Sequence, residues 1–262
     1  MKTWRWLDTG VRGAAENLAL NRALTEARRA GESPSTLRFL RFVPSAIVSL
    51  NGDPQRELDL AYCRAQGIEV QRRLTGGGAI YMDEGVLAWE LYLRRAEAGA
   101  AEMPAISRRI CEALARALAK FSLAARFRAP SDVIVEGRKV SGSGGAIDDE
   151  GLTYQGTLLV DFDLERMLRV LGAMDEAKLR AARDGLADLR GLLGAAPELG
   201  VLRAALIEEF AALFGVRIME GRLGDAAVRR AAEACAEMAN EEWVQRASRE
   251  GGGVRTSEGG AA

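Results

Sequence analysis

Two glycine-bearing segments hold the residues best placed to do chemistry. The first reads Arg72-Arg73-Leu74-Thr75-Gly76-Gly77-Gly78-Ala79-Ile80-Tyr81. The second reads Gly137-Arg138-Lys139-Val140-Ser141-Gly142-Ser143-Gly144-Gly145, with Gly156-Thr157-Leu158-Leu159-Val160-Asp161 following. Glycine clusters remove side chains and let a ligand approach the backbone. Fixed cations flank each cluster, so the ligand they suit is an anion such as a phosphoryl or adenylyl group. Arg72 and Arg73 end an incoming strand, where their forks would reach a ligand above the loop. Lys139 follows an apolar strand directly. An ammonium there would hold an α-phosphate or an acyl carbonyl and stabilise charge in a transition state. Asp132, ahead of Val133-Ile134-Val135, is a candidate Mg2+ ligand, with a strand-initiating Asx turn as the plain alternative. For the glycines the plain alternative is turn chemistry. The first segment is neither a Walker loop nor a Rossmann fingerprint, since no Lys-Ser/Thr follows it and no helix starts there.

Composition narrows the chemistry further. The 262 residues include no histidine, which excludes a His-based triad, a His-ligated zinc site and an imidazole base. A net charge of −1 and dispersed basic residues give no electrostatic case for nucleic acid or an anionic membrane. Cys63, Cys111 and Cys235 have no short spacing between them, as expected for reduced thiols in a cytoplasmic protein. No run of about eighteen apolar residues occurs, and the opening Met1-Lys2-Thr3-Trp4-Arg5 stretch lacks a signal-peptide pattern.

The elements that must position these groups follow from periodicity. Helices are expected over Ala14 to Ala30, Leu58 to Arg64, around Ile106, Ile110, Leu114 and Leu118 with Pro104 in the first turn, then Leu164 to Leu171, Leu202 to Phe214 and Ala226 to Arg246. Strands are expected over Leu37 to Phe42, Ala46 to Leu50, Ile68 to Arg72, Val86 to Leu93, Val133 to Val135 and Leu158 to Val160. Strands crowd the first 160 residues, with connections too short for crossover helices. The fold class is therefore α+β, with a mixed or antiparallel sheet flanked by helices. One catalytic domain over residues 1–248 is expected, then a disordered Gly-rich tail over 249–262.

Together the motifs resemble the lipoate branch of the lipoate–protein ligase and biotin ligase superfamily. The family signature Arg-Arg-x-Ser-Gly-Gly-Gly-Ala-Val-Tyr/Phe-His-Asp stands here as Arg72 to Asp83, its Arg-Lys-Val-Ser-Gly-Ser-Ala as Arg138 to Gly144, and its His-Gly-Thr-Leu-Leu as Gln155 to Leu159. Glu16-Asn17-Leu18-Ala19-Leu20 is similar to the first-helix motif, so the resemblance spans roughly residues 4 to 245. It implies the fold shared with class II aminoacyl-tRNA synthetases and a two-step reaction. ATP and lipoate give lipoyl-AMP and pyrophosphate. The acyl group then passes to a lysine of a lipoyl-domain protein, such as a dehydrogenase E2 or a glycine cleavage H protein. By position the resemblance sets Arg73 and Gly78 to Tyr81 along the adenylate and Lys139 at the phosphate and lipoyl carbonyl. The expected site as a whole has Lys139 as the catalytic cation, Asp132 as the candidate metal ligand, and a binding set of Arg72, Arg73, Gly76, Gly77, Gly78, Ala79, Ile80, Tyr81, Ser141, Gly142, Gly156 and Thr157.

Several positions depart from the family. Met82 and Gln155 stand where it has histidine, Glu90 where a small polar residue is usual, and Gly144-Gly145 where Ala-Gln or Ala-Tyr follows the serine. Octanoyltransferases similar to the family carry a cysteine nucleophile in a Cys-Phe-Asp-Ala-Pro-Ser stretch. The corresponding stretch is Arg126-Phe127-Arg128-Ala129-Pro130-Ser131, which favours an adenylating ligase over a thioester enzyme. The three cysteines, on predicted helices away from the motifs, read as core packing. Ligases of this type carry a C-terminal accessory domain of roughly a hundred residues. The chain stops soon after Trp243, so a separate accessory polypeptide, or none, is expected. The alternatives are an octanoyl or lipoyl transferase working from a carrier protein, and a non-catalytic binder of lipoyl-adenylate or lipoyl protein.

Overall fold

The computed structural model describes residues 1–148, 151–172 and 176–245. The expected tail and the last residues of the expected domain lie outside them. The chain opens with β1 (Thr3–Arg12) and α1 (Ala14–Arg29). Next come β2 (Thr36–Phe42), β3 (Ser45–Val48), the short helices α2 (Pro54–Glu57) and α3 (Leu60–Ala65), then β4 (Glu69–Arg72), β5 (Ile80–Met82) and β6 (Val86–Arg94). After α4 (Met103–Ala119) come β7 (Ala125–Arg128), β8 (Asp132–Val135), β9 (Arg138–Ile147) and β10 (Gly151–Leu159). The remainder is helical, α5 (Leu164–Val170), α6 (Glu176–Gly185), α7 (Leu189–Leu193), α8 (Leu199–Phe214), α9 (Asp225–Met238) and α10 (Glu241–Gln245), except for β11 (Arg217–Glu220).

Eight strands form one mixed sheet in the order β11-β1-β2-β6-β10-β9-β8-β7. Only the β11–β1 and β1–β2 pairs are parallel. Central β6 is buried on both faces, which is why its sequence is apolar apart from Glu90, whose charge is met by Arg38. Its Leu87, Trp89, Leu91 and Leu93 pack with Ile106, Ile110, Leu114 and Leu118 of α4 and with Leu202, Leu206 and Phe210 of α8. The opposite face is covered by α1 and α9, through Leu24, Tyr92 and Ala227 and through Leu20, Ala23 and Ala231.

A second sheet, β4-β3-β5, stands beside the first. β4 runs parallel to β3 and β5 antiparallel to it. The first glycine segment therefore joins the two outer strands across the end of β3 and is no hairpin tip. Glu69 on β4 accepts from the backbone N–H of Ala14 at 2.6 Å, placing a carboxylate at the N-terminus of α1, where the helix dipole favours it.

Three expectations are corrected. The second glycine segment is not a loop but the strand β9, paired with β8 and β10. β1, β7 and β11 escape the periodicity because β7 and β11 bury no residue fully and β1 only Trp4 and Leu7. The single helix expected from Ala226 breaks at Asn240, whose Oδ1 caps α10 through Glu242 N at 2.9 Å.

Candidate active site

The first glycine loop is organised from within by Arg73. Its Nη2 donates to the carbonyls of Gly76 (2.7 Å) and Gly78 (2.8 Å), its Nη1 to Ile47 O (3.2 Å), and its Nε to Thr75 Oγ1 (3.1 Å). Burial lowers this guanidinium to about 10, against the pull of nearby Glu57, and leaves it charged. A trans peptide sets each N–H opposite the preceding C=O. Drawing the Gly76 and Gly78 carbonyls inward thus turns the amides of Gly77 and Ala79 outward. Gly77 takes φ +98°, a conformation L side chains rarely adopt. The Ala79 amide is met by Glu57 Oε2 at 2.9 Å, while Glu57 Oε1 accepts from Asp53 N at 2.8 Å.

The arginine expectations change accordingly. Arg73 does not reach above the loop; it is the loop's internal scaffold. Arg72 points away altogether. It is 1% exposed, and its guanidinium donates to the carbonyls of Ser49, Leu50, Gly52 and Val244. It ties β4 to the β3–α2 turn and to α10. Side chains at two further positions also turn inward. Ile80 packs with Leu40, Ile47 and Met82. Tyr81 is buried against Phe162, with ring centroids 6.0 Å apart, and burial pushes its phenol up to about 12. At Tyr81 the side chain is withdrawn and backbone is left to meet a ligand, while Ile80 stays half-buried.

Lys139 stands on β9 facing Asp132, its Nζ 2.7 Å from Oδ1. Arg128 holds the other carboxylate oxygen at 2.9 Å. The lysine arches over Gly142, whose missing Cβ would lie 2.7 Å from both Cε and Nζ. The room left by Gly142 is filled by the lysine itself. Ser141 is buried, and its hydroxyl finds no hydrogen-bond partner among the described residues. Gly156 also serves packing, since a Cβ there would meet the Trp89 ring at 2.2 Å. It lies on the buried side of β10, away from Thr157.

β10 connects the two motifs. Buried Leu152, Tyr154, Gly156 and Leu158 alternate with half-buried Thr153, Gln155, Thr157 and Leu159, so Gln155 and Thr157 share a face. Gln155 Nε2 donates to Thr75 Oγ1 at 3.1 Å, and Thr157 Oγ1 donates to Gly142 O at 3.3 Å. Two hydrogen bonds and one strand repeat thus lead from the glycine loop to the residue beneath Lys139. Thr75, Gln155 and Glu57 were not in the expected binding set. The Asp53-Pro54-x-x-Glu57 spelling of a capped turn was the one local signal for Glu57.

A resident Mg2+ does not fit the expected position. Both oxygens of Asp132 are engaged by cations, and no group of three or more acidic, cysteine or histidine side chains is arranged for a metal among the described residues. Cys63 and Cys111 are buried core residues and Cys235 is half-buried. One of them is closer to the motifs than expected. Cys111 Sγ lies 3.4 Å from Ser143 Oγ, which bonds Tyr154 OH and Ser131 O, each at 2.9 Å. Burial pushes the Cys111 thiol up to about 11, so it is not a thiolate near neutrality.

Comparison with known proteins agrees with this architecture. The lipoyl protein ligase A/B catalytic domain matches residues 13–211, and the chain belongs to that family. Octanoyltransferase LipM of Moorella thermoacetica is 29% identical over 269 residues, covering 94% of this chain and 98% of that protein. The archaeal bipartite lipoate protein ligase of Thermoplasma acidophilum, studied with its E2 lipoyl domain, matches with TM-score 0.86 and 25% identity over 96% of this chain and 100% of that one. A lipoate-protein ligase A bound with ATP shares the fold at TM-score 0.82 and 24% identity, covering 95% and 100%. No helix among the described residues is long and apolar enough to cross a membrane.

Proposed function

We propose that the chain is an ATP-dependent lipoate–protein ligase of the cytoplasm. The observation that carries this reading is the absence of a thiol at the lysine. Exposed Arg126 stands where the octanoyltransferase motif has its nucleophile, and the one cysteine beneath β9 is fully buried. Adenylation needs no protein nucleophile. A lipoate carboxylate oxygen attacks the α-phosphorus of ATP, the bond to the bridging oxygen breaks, and pyrophosphate leaves with the electron pair. The neutral ε-amine of an acceptor lysine then attacks the acyl carbonyl. The bond to AMP breaks, an amide forms, and the amine proton passes to solvent. Lys139 offsets the charge on the α-phosphate and the acyl oxygen, exchanging Asp132 for the ligand.

The bipartite Thermoplasma ligase and its E2 lipoyl domain support a lipoyl-domain acceptor and a separate accessory polypeptide. A second reading, transfer of an octanoyl group from a carrier protein, draws support from the LipM relatives. Pyrophosphate release that requires both ATP and lipoate, or octanoate, is the expected result. Transfer from acyl carrier protein without ATP favours the second reading instead.

A further inference from the structure

A file of polar side chains runs from the buried sheet to the glycine loop, and its direction is dictated from the buried end. Glu90 on β6 is ion-paired with fully buried Arg38 at 2.9 Å and also accepts from Tyr92 OH. Arg38 is held by Asn17 Oδ1 at 2.6 Å and by Thr9 Oγ1 at 3.0 Å. A carboxylate only accepts. The Asn21 amide of α1 must therefore turn its Nδ2 to Glu90, 2.9 Å from Oε1. The same nitrogen lies 3.5 Å from Gln155 Oε1, the longest link. That sets the Gln155 oxygen towards α1 and its Nε2 towards Thr75. Thr75 Oγ1 then accepts from both Gln155 Nε2 and Arg73 Nε, each at 3.1 Å. A hydroxyl has two acceptor sites and one proton. With both sites taken, its proton must point elsewhere, and no acceptor for it occurs among the described residues.

We propose that Gln155, oriented by Asn21 and the buried Glu90, is a positioning residue that keeps the Thr75 hydroxyl a donor towards the acyl ligand at the glycine loop. The proposal rests on the placement of the reaction at this loop. It gives Gln155 a reason to be an amide. Unlike the histidine of the resembling motif, an amide has one fixed donor end and one fixed acceptor end at every pH.

The test is a double-mutant cycle on the intact chain, read as kcat and KM for whichever acyl reaction the wild type catalyses, with thermal midpoints alongside. Gln155→Leu and Thr75→Val are each expected to lose about tenfold in kcat/KM. The double variant should be no worse than Thr75→Val, because the glutamine acts only through the hydroxyl. Thr75→Ser, which keeps the hydroxyl, should recover most of the Thr75→Val loss. Gln155→Glu, similar in shape but without the donor, should draw the hydroxyl inward and match Thr75→Val. Multiplying losses in the double variant overturn the proposal. So does a Gln155→Leu effect confined to the thermal midpoint. A wild type that transfers octanoyl groups without ATP removes the ligase reading yet leaves the cycle intact. A wild type inactive in both assays removes the positioning role as well.

Discussion

The Lys139 ammonium and a side chain at Gly142 cannot share the space above β9. A β-carbon on Gly142 would lie 2.7 Å from Lys139 Nζ. Because the conflicting atoms are the free end of a flexible chain, the lysine can move aside without disturbing the strand. Gly142→Ala should therefore keep the thermal midpoint and lose pyrophosphate release, as Lys139→Ala does. For Lys139→Ala the expected loss is two to three decades of rate, about 3–4 kcal/mol of transition-state stabilisation. A fully active Gly142→Ala enzyme would show that the lysine's position over residue 142 is irrelevant to catalysis.

Arg72 and Arg73 should separate from Lys139 in a stability assay. Both are internal braces, and removing either leaves several buried carbonyls unmet. Each alanine variant should cost about 3 kcal/mol in denaturant unfolding, with Arg73→Ala also weakening nucleotide binding through collapse of the loop. Arg73→Lys should rescue neither property, since one ammonium cannot span Ile47, Thr75, Gly76 and Gly78. Unchanged unfolding with lost binding would return Arg73 to the role of a direct ligand contact.

The cysteines should be dispensable for adenylation. With the Cys111 thiol at about 11 and buried, iodoacetamide at pH 8 should leave pyrophosphate release intact. Cys63→Ala and Cys235→Ala should likewise be active. Cys111→Ala should be active too, though less stable by roughly 1–2 kcal/mol for the lost packing and the Ser143 contact. Time-dependent inactivation by the reagent, prevented by Cys111→Ala, would bring back a thioester mechanism.

Asp83 supplies a pH signature. Burial pushes its carboxyl up, against the backbone amides of Gly85 and Asp163, which pull it down. A raised folded-state value means that the native state binds the proton more tightly than the unfolded chain does. Wild type thus gives up stability as pH climbs from the unfolded value, about 3.9, through the raised folded value. Asp83→Asn keeps an acceptor for Gly85 and has no such loss. Its advantage in urea midpoint should grow across that window and then level off. An advantage that shrinks with rising pH would contradict the direction of the shift.

The glycines show what was and was not legible in the chain. Their presence signalled close approach, and close approach is what they permit. At Gly145 the visitor is the β10 backbone, since a Cβ would meet Thr153 O at 2.4 Å. At Gly156 it is Trp89, and at Gly142 it is Lys139. Spelling alone does not say whether the neighbour is a ligand or the protein's own next layer. The same holds for Arg72 and Arg73, identical neighbours in sequence: one braces the β3–α2 turn and α10, the other the glycine loop and β3. By contrast, the α1, α4 and β6 patterns were readable because each buries a continuous stripe or strand whose period is local.

The passage of the glycine segment across the end of β3 bears on binding energy. Its two ends are rooted on opposite flanks of one strand, and Arg73 fills the vault beneath it. Such an arch cannot swing like a lid hinged on one side. Its ordering was completed when the protein folded, so a ligand arriving there meets a finished surface and sacrifices little of its binding energy to loop closure.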